Sequence, residues 1–271
     1  MKIVIKLGGA LFAQGIGSLV EDLKTVTKSH HVIIVHGGGP QITELGTKLG
    51  KEPKYYDTPS GMKTRYTDQG QMDIVKMALA GHNNKSIVEA LRQAGINAFG
   101  FSGLDGGTIQ AERKEQILVI NERGKRQVLH GEFSGKVTKA DPTVIDLLVE
   151  KGYVPVIGCM ATSQTGDAVN VDGDRAAAAV AAAVHADRYI SLTDVEGVYK
   201  DMETKEVIPR MTRSEAEAMM QRVSGGMKKK IFAALEALEE KVANFVIYSG
   251  SVAHPISDVI EHSKGTIITP Q

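Results

Sequence analysis

The sequence predicts an α/β protein: an open, mainly parallel sheet sandwiched between helices as three layers, divided into two lobes. Two observations predict this. Short β-branched runs alternate with longer amphipathic stretches along the whole chain, the pattern of successive strand–helix–strand units. Several of those runs are apolar throughout, as expected for strands covered on both faces. A third observation concerns ligands. Many of the 29 glycines follow directly on a predicted strand, and open α/β sheets bind ligands at the carboxyl ends of their strands.

In order, residues 2–6 form the first strand, followed by Gly8 and Gly9. Leu19, Val20, Leu23 and Val26 share one face of a helix over 18–28. A second strand at 31–35 runs into Gly37-Gly38-Gly39-Pro40, and Ile42, Leu45 and Leu49 line a helix over 41–49. Helices follow at 69–79 and 83–93, then a strand at 96–101 that ends in Ser102-Gly103-Leu104-Asp105-Gly106-Gly107. Residues 108–130 alternate as antiparallel strands do, with a hairpin turn at 122–125. Beyond them the pattern gives a helix at 142–151, a strand at 154–157, an Ala-rich helix at 172–186 and a strand at 189–192. Helices at 213–222 and 226–239 and a last clear strand at 245–248 complete it. The predicted boundary lies near residue 175, between two clusters of glycine loops, giving lobes 1–175 and 176–271.

Composition excludes several classes. The 32 Lys and Arg balance 32 Asp and Glu in 271 residues, so a globally basic nucleic-acid or anionic-membrane binder is ruled out. The single cysteine, Cys159, makes neither an internal disulfide nor a multi-Cys metal site, and a reducing, cytoplasmic setting is expected. No apolar run approaches the roughly 18–20 residues of a membrane span. The first residues read as a buried strand rather than a targeting tail.

The chemistry-bearing motifs gather around the glycines. Glycine amides can face an anion, and a following helix adds its N-terminal partial charge. Neither the P-loop spacing nor G-x-G-x-x-G occurs: Gly131 to Gly135-Lys136-Val137 has the wrong spacing, and position 42 is Ile. A P-loop NTPase and a dinucleotide dehydrogenase are both disfavoured. Lys6 stands two residues before Gly8, and Lys228-Lys229-Lys230 follows Ser224-Gly225-Gly226. Three cations at a helix N-terminus oppose its dipole; they form either a solvated face or an anion site. Lysines, glycine amides and Mg²⁺ are what phosphoryl transfer requires. Arg65 suits a carboxylate clamp or a surface ion pair. In Asn170-Val171-Asp172-Gly173-Asp174, either aspartate can cap the Ala-rich helix, orient the lysines or hold metal. His36 is the one suggestive histidine, and neither Ser102 nor Cys159 carries a local nucleophile signature.

Taken in order, Lys6-Leu7-Gly8-Gly9, His36-Gly37-Gly38-Gly39-Pro40, Arg65 with Thr67, Asn170 to Asp174, Ser191 to Val198 and Gly226-Met227-Lys228-Lys229-Lys230 resemble the amino acid kinase family. The resemblance covers essentially the whole chain and is nearest the N-acetylglutamate kinase type, whose members move the γ-phosphoryl of ATP to a side-chain carboxylate. It implies that Lys6 and Lys230 stabilise the transferring group, that Gly8 and Gly9 donate N–H groups to it, and that Asp174 holds the lysines. Gly37, Gly38, Arg65 and Asn170 would bind the amino-acid substrate. Thr193, Asp194, Gly197, Gly226, Met227 and Lys228 would hold ATP, with Mg²⁺ carried on its phosphates and no direct protein ligand. A homodimer through the first lobe is implied as well. Arginine-inhibited members carry an extra N-terminal helix, and the expectation here is that this route to inhibition is absent.

Two substrates follow from the resemblance. One is free N-acetyl-L-glutamate. The other is 2-aminoadipate or glutamate borne on a small acidic amino-group carrier protein, in lysine and arginine biosynthesis. Gly61-x-x-x-Arg65-Tyr66-Thr67-Asp68 with Ser102 to Gly106 is more similar to the carrier-dependent branch. Residues 111–139 hold seven cationic residues (Arg113, Lys114, Arg123, Lys125, Arg126, Lys136, Lys139) against four acidic ones (Glu112, Glu115, Glu122, Glu132), an excess of three. That excess is expected as a basic rim that steers an acidic partner. A non-catalytic nucleotide or amino-acid sensor is the remaining alternative; the presence of Lys6, Asp174 and Lys230 speaks against it.

Overall fold

The structure is a computed structural model that describes residues 1–271 except Ser60, Met62, Glu122 and Met202. In chain order the first strands are β1 (Lys2–Leu7), β2 (His31–His36), β3 (Lys54–Asp57), β4 (Lys63–Tyr66), β5 (Ala98–Ser102), β6 (Ile109–Arg113), β7 (Gln116–Ile120) and β8 (Arg126–His130). They continue as β9 (Gly135–Ala140), β10 (Val154–Gly158), β11 (Met160–Thr162), β12 (Ala168–Asn170), β13 (Arg188–Thr193), β14 (Arg210–Thr212), β15 (Phe245–Ser249) and β16 (Thr266–Thr269). The helices are α1 (Gly9–Gln14), α2 (Gly17–Val26), α3 (Gly39–Lys48), α4 (Gln69–Lys76), α5 (Asn84–Gln93) and α6 (Thr143–Glu150). After these come α7 (Gly173–Ala183), α8 (Arg213–Met219), α9 (Gly225–Glu239) and α10 (Ser257–His262).

Eight strands form one sheet in the order β14-β16-β15-β13-β1-β2-β10-β5. Every pairing is parallel except β15 with β16. The uniformly apolar runs of β1 and β2 follow from this position. Val4, Ile33 and Val35 face a core shared with α3, α4, α6, α7 and α9. Ile3, Ile5, Val32 and Ile34 face a second core with α1, α2, α5 and α10. Period-2 alternation therefore feeds two cores at once, which makes the three layers.

Two four-stranded sheets stand apart from it, β12-β11-β6-β9 and β4-β3-β7-β8. The expected antiparallel pairing over 108–130 holds for β7 and β8, and part of its turn, Glu122, lies outside the described residues. β6 departs from that expectation, because it pairs with β9 and β11 instead. The helices expected at 69–79 and 83–93 are one continuous helical segment whose middle, Met77–Asn83, is a π-helix. The chain also continues past 245–248 into a final strand, β16. The expected boundary at 175 falls inside α7, which packs on β1, β2 and β13.

Candidate active site

Lys6, Asp174 and Lys230 meet where the carboxyl end of β1 faces the starts of α7 and α9. Lys6 Nζ lies 3.0 Å from Asp174 Oδ1, and Lys230 Nζ lies 3.3 Å from the same oxygen. All three residues are buried. Ser191 Oγ on β13 donates to Asp174 Oδ1 at 3.2 Å, and Tyr189 OH donates to the Asp174 carbonyl at 2.9 Å. Burial alone would raise the Asp174 pKa, but the two ammonium charges hold it down at about 2. Burial opposes the charged form of Lys6, yet Asp174 outweighs it and keeps that pKa raised. Lys230 is lowered by burial and by the Lys6 charge. Two buried cations share one carboxylate, so the cluster carries an excess positive charge suited to an anion.

The aspartates have separate jobs. Asp172 is the N-cap of α7, its Oδ1 accepting from the Asp174 and Arg175 amides. Its Oδ2 lies 3.6 Å from Lys229 Nζ. In the lysine run at the start of α9, Lys229 is thus compensated by Asp172 and Lys230 by Asp174.

The glycine loops after β1 and β2 touch each other. A Cβ on Gly9 would lie 2.9 Å from Pro40 Cδ and 3.0 Å from Gly38 Cα. A Cβ on Gly38 would fall 2.1 Å from Asn83 Nδ2, so only glycine fits at either position. Gly8 abuts the Leu192 carbonyl, and Gly37 lies near Cys159 Sγ. Neither α1 nor α3 has a side-chain N-cap, so the first amides of α1, and of α3 apart from Pro40, which has no N–H, keep their donor capacity.

The π-turn supports these loops from below. Asn83 Nδ2 donates to the Gly37 carbonyl at 3.2 Å. Asn84 Nδ2 reaches His36 Nε2 at 3.1 Å, Phe101 O at 3.0 Å and Val156 O at 2.9 Å. His36 Nδ1 lies 3.1 Å from Gly37 O. Donation to that carbonyl and acceptance from Asn84 fix one neutral tautomer. Burial pushes the His36 pKa down to about 4. The unfolded chain therefore binds the proton more readily below the ordinary His range, and stability falls as pH drops from about 6.5 toward 4. Between pH 7 and pH 5 this contributes about 2 kcal/mol of lost stability. Denaturant unfolding at the two pH values should show it, and His36→Gln should flatten the dependence; an unchanged slope would remove His36 as the cause.

Arg65 forms no ion pair among the described residues. Its Nη2 donates to Gly39 O at 3.0 Å, Thr43 Oγ1 at 2.9 Å and Tyr55 OH at 2.6 Å, and the guanidinium lies 5.0 Å from the Tyr55 ring centroid. Nη1 is buried and has no hydrogen-bond partner among the described residues. A buried guanidinium nitrogen without an acceptor is a place for a ligand oxygen. Asn170 ends β12, and its Nδ2 donates to Thr67 Oγ1 at 3.3 Å. Arg65 and Asn170 are linked in this way through Thr67. Arg65 also reaches the loop after β2 through Gly39 O, and that loop packs on Gly9.

The expected nucleotide residues fall into two groups. Thr193 ends β13 and donates to Asp194 Oδ1 at 3.0 Å, while Asp194 is exposed. Gly226, Met227 and Lys228 occupy the first turn of α9, the helix that also carries Lys230. Gly197 is buried, with Thr266 Oγ1 2.6 Å from where its Cβ would lie, so close packing on β16 accounts for glycine there. Cys159 is buried and its thiol is pushed up to about 12 by burial, which leaves it protonated and unreactive. The sequence assigns no role to Tyr55, Thr43, Asn83 or Asn84, and none to Ser191 beyond its place in a resembling block. An Asn-Asn pair inside an otherwise helical pattern was the one available signal, because both are poor helix formers.

Residues 1–249 match the model of the amino acid kinase family. The chain belongs to the amino acid kinase family. A relative from Saccharolobus solfataricus (strain ATCC 35092 / DSM 1617 / JCM 11322 / P2), named LysW-aminoadipate/LysW-glutamate kinase, is 36% identical over 267 residues, covering 98% of each chain. A Nitrosopumilus maritimus (strain SCM1) protein carrying that name provisionally is 41% identical over 266 residues, again with 98% of each covered. Among solved structures, N-acetylglutamate synthase from Neisseria gonorrhoeae superposes with a TM-score of 0.78 at 20% identity, over 100% of this chain and 59% of that one. A Giardia carbamate kinase gives 0.70 at 16% identity, over 100% and 99%. These two likenesses establish the fold. For an amino acid kinase, a buried lysine pair sharing one carboxylate beside two touching glycine loops is an arrangement suited to a transferring phosphoryl group.

Proposed function

We propose that the protein is an ATP-dependent kinase that phosphorylates the side-chain carboxylate of 2-aminoadipate or glutamate borne on a small acidic carrier protein. The Lys6–Asp174–Lys230 cluster beside the Gly8-Gly9 and Gly37–Gly39 loops carries the phosphoryl-transfer part. The names of the full-length relatives support the carrier-borne substrate. A substrate carboxylate oxygen attacks the γ-phosphorus, the bond from that phosphorus to the β,γ-bridging oxygen breaks, and ADP leaves. Lys6 and Lys230 compensate the charge spread over the transferring group and the leaving oxygen, and Asp174 keeps their ammonium groups aimed there. Gly8 and Gly9 amides donate to the moving phosphoryl oxygens. Arg65, through Nη1, and Asn170 hold the amino-acid end, next to the Gly37-Gly38 loop. Thr193, Asp194, Gly197 and the Gly226-Met227-Lys228 turn hold the nucleotide. Mg²⁺, when bound on the ATP phosphates, neutralises further charge there. Residues 1–175 act as the substrate lobe and 176–271 as the nucleotide lobe. A cytoplasmic homodimer joined through the first lobe belongs to the same reading.

The outer face of the β4-β3-β7-β8 sheet suits an acidic partner. Register places Lys63 and Arg65 beside Asp57 and Tyr55, then Ile120, then Arg126 on one face. Leu118 and Val128 are cross-strand neighbours on that face and both are exposed. The basic segment 111–139 does not form the single rim its composition suggested. Arg113 is held by Asp167 at 3.1 Å and by the Glu132 carbonyl, Glu132 is buried, and Lys136 and Lys139 lie on β9 in the other small sheet. Arg126 and Lys63, flanking the Arg65 site, are the cations this reading uses.

Initial rates with ATP and Mg²⁺ should be compared for carrier-linked 2-aminoadipate, carrier-linked glutamate, free N-acetylaminoadipate and free N-acetylglutamate. The carrier-linked forms should turn over far faster, and their kcat/KM should fall steeply as ionic strength rises. Efficient turnover of free N-acetylglutamate alone would replace this reading with an N-acetylglutamate kinase.

A further inference from the structure

The segment that carries Arg65 is pinned from below by a buried acid that phosphoryl transfer does not use. Glu132 is fully buried. Its Oε1 accepts from the Thr67 amide at 3.2 Å and the Ser134 amide at 2.9 Å, and its Oε2 accepts from the Thr67 amide at 3.3 Å. It makes no ion pair among the described residues, although the charge of Lys114 acts on it. Burial raises its pKa against those hydrogen bonds. A buried carboxylate without a cationic partner is costly, so it persists where its acceptor capacity is needed.

The bonds it makes join three stretches distant in sequence. The Phe133 amide donates to Thr67 O at 2.7 Å, and the Asn170 amide donates to Phe133 O at 2.8 Å. Asn170 Nδ2 closes the ring on Thr67 Oγ1. Arg113 supports it from outside, with Nε donating to Glu132 O at 2.8 Å and its guanidinium 3.5 Å from the Phe133 ring centroid. Thr67 lies two residues after Arg65, and its hydroxyl is 3.4 Å from Arg65 O. The knot therefore fixes Arg65 and Asn170 with respect to each other, while Lys6, Asp174 and Lys230 make none of its bonds.

We infer that Glu132 is a positioning residue of the amino-acid subsite, clamping the Thr67 and Ser134 amides so that Arg65 and Asn170 hold one substrate end at a fixed separation. This inference rests on the proposed roles of Arg65 and Asn170. A substrate-holding pair that is not pre-ordered must be ordered on binding, which weakens binding without touching the groups that act on the phosphoryl. The effect of Glu132 should appear in binding of the carboxylate substrate, apart from ATP binding and the chemical step.

The test uses the full-length enzyme with carrier-linked 2-aminoadipate as probe, below the measured melting temperature of each variant. Glu132→Ala should raise KM for that substrate by about 10- to 100-fold, the cost of ordering the two freed side chains on binding, with KM for ATP and kcat at saturation changed less than about threefold. Glu132→Gln retains the Oε1 acceptor for both amides and should restore KM to within about threefold of the parent. An unchanged substrate KM in Glu132→Ala would overturn the inference. So would KM for both substrates rising together, or a Gln variant no better than Ala. Arg65→Ala is the control. If it raises substrate KM while Glu132→Ala does not, the role of Glu132 alone falls. If Arg65→Ala leaves substrate KM unchanged, the subsite assignment fails and the inference falls with it.

Discussion

Lys6→Ala and Lys230→Ala should each lower kcat by about a hundred- to a thousandfold, the usual cost of removing one preorganised group from developing charge. Steady-state kinetics at saturating ATP check this. Either variant leaves Asp174 with one remaining lysine, at 3.3 Å or 3.0 Å, so the fold keeps a paired carboxylate and the loss is catalytic. The two effects should combine less than additively, because both lysines act on one moving group. A kcat within threefold of the parent in either variant would remove that lysine from the chemistry.

Asp174→Ala has the largest expected effect on stability. It strands two buried ammonium groups beside each other, and breaking a buried pair from one side costs about 3–5 kcal/mol. Its melting temperature should fall well below those of the single lysine variants. Replacing all three residues by apolar ones, Lys6→Met with Asp174→Leu and Lys230→Met, should restore most of that stability, since a buried ionic cluster is weak evidence for stabilisation. Activity should remain absent. The contrast between the recovered melt and the lost kcat separates what the charges do for the fold from what they do for the reaction. Acid acts in the same direction as the Asp174 substitution: with the carboxyl held at about 2, the stability it contributes is present above the ordinary carboxylate range and is lost as pH falls toward 2.

The legible part of the fold is the part governed by simple patterning. β1 and β2 read as strands because each feeds two apolar cores, and Lys6, Gly8 and Gly37 stand out because they follow those strands. β3, with the sequence Lys-Tyr-Tyr-Asp, and β4, with Lys-Thr-Arg-Tyr, are short and polar and hold no fully buried residue, so neither carries a periodic signal. β6 and β7 are adjacent in sequence, with only two residues between them, yet different long-range partners take them into different sheets. The π-turn at Met77–Asn83 was not legible, since its reason is tertiary: Asn83 and Asn84 bond a loop and strand carbonyls that the local sequence does not contain.

The site divides along the same line. Lys6, Asp174 and Lys230 converge, although 168 and 56 residues separate Asp174 from its partners in the chain. Which aspartate caps α7 and which meets the lysines was open in the sequence, and the geometry gives the cap to Asp172. Arg65 looked like a carboxylate clamp or a surface ion pair; its buried, unpartnered Nη1 favours the clamp. Glu132 counted as one acid in a basic stretch. Its burial and its bonds to Thr67 depend on a contact 65 residues away, which no linear charge count contains.

The most direct measurement traps the product. The enzyme is incubated with ATP, Mg²⁺ and carrier-linked 2-aminoadipate in the presence of hydroxylamine, which converts an acyl phosphate to a stable hydroxamate that intact-mass analysis of the carrier detects. The account predicts one hydroxamate per carrier, formed in step with ADP and about a hundred- to a thousandfold more slowly with Lys230→Ala. ATP binding with no hydroxamate on the carrier-linked or the free acetylated substrates would contradict it, and would place the chain among non-catalytic nucleotide binders.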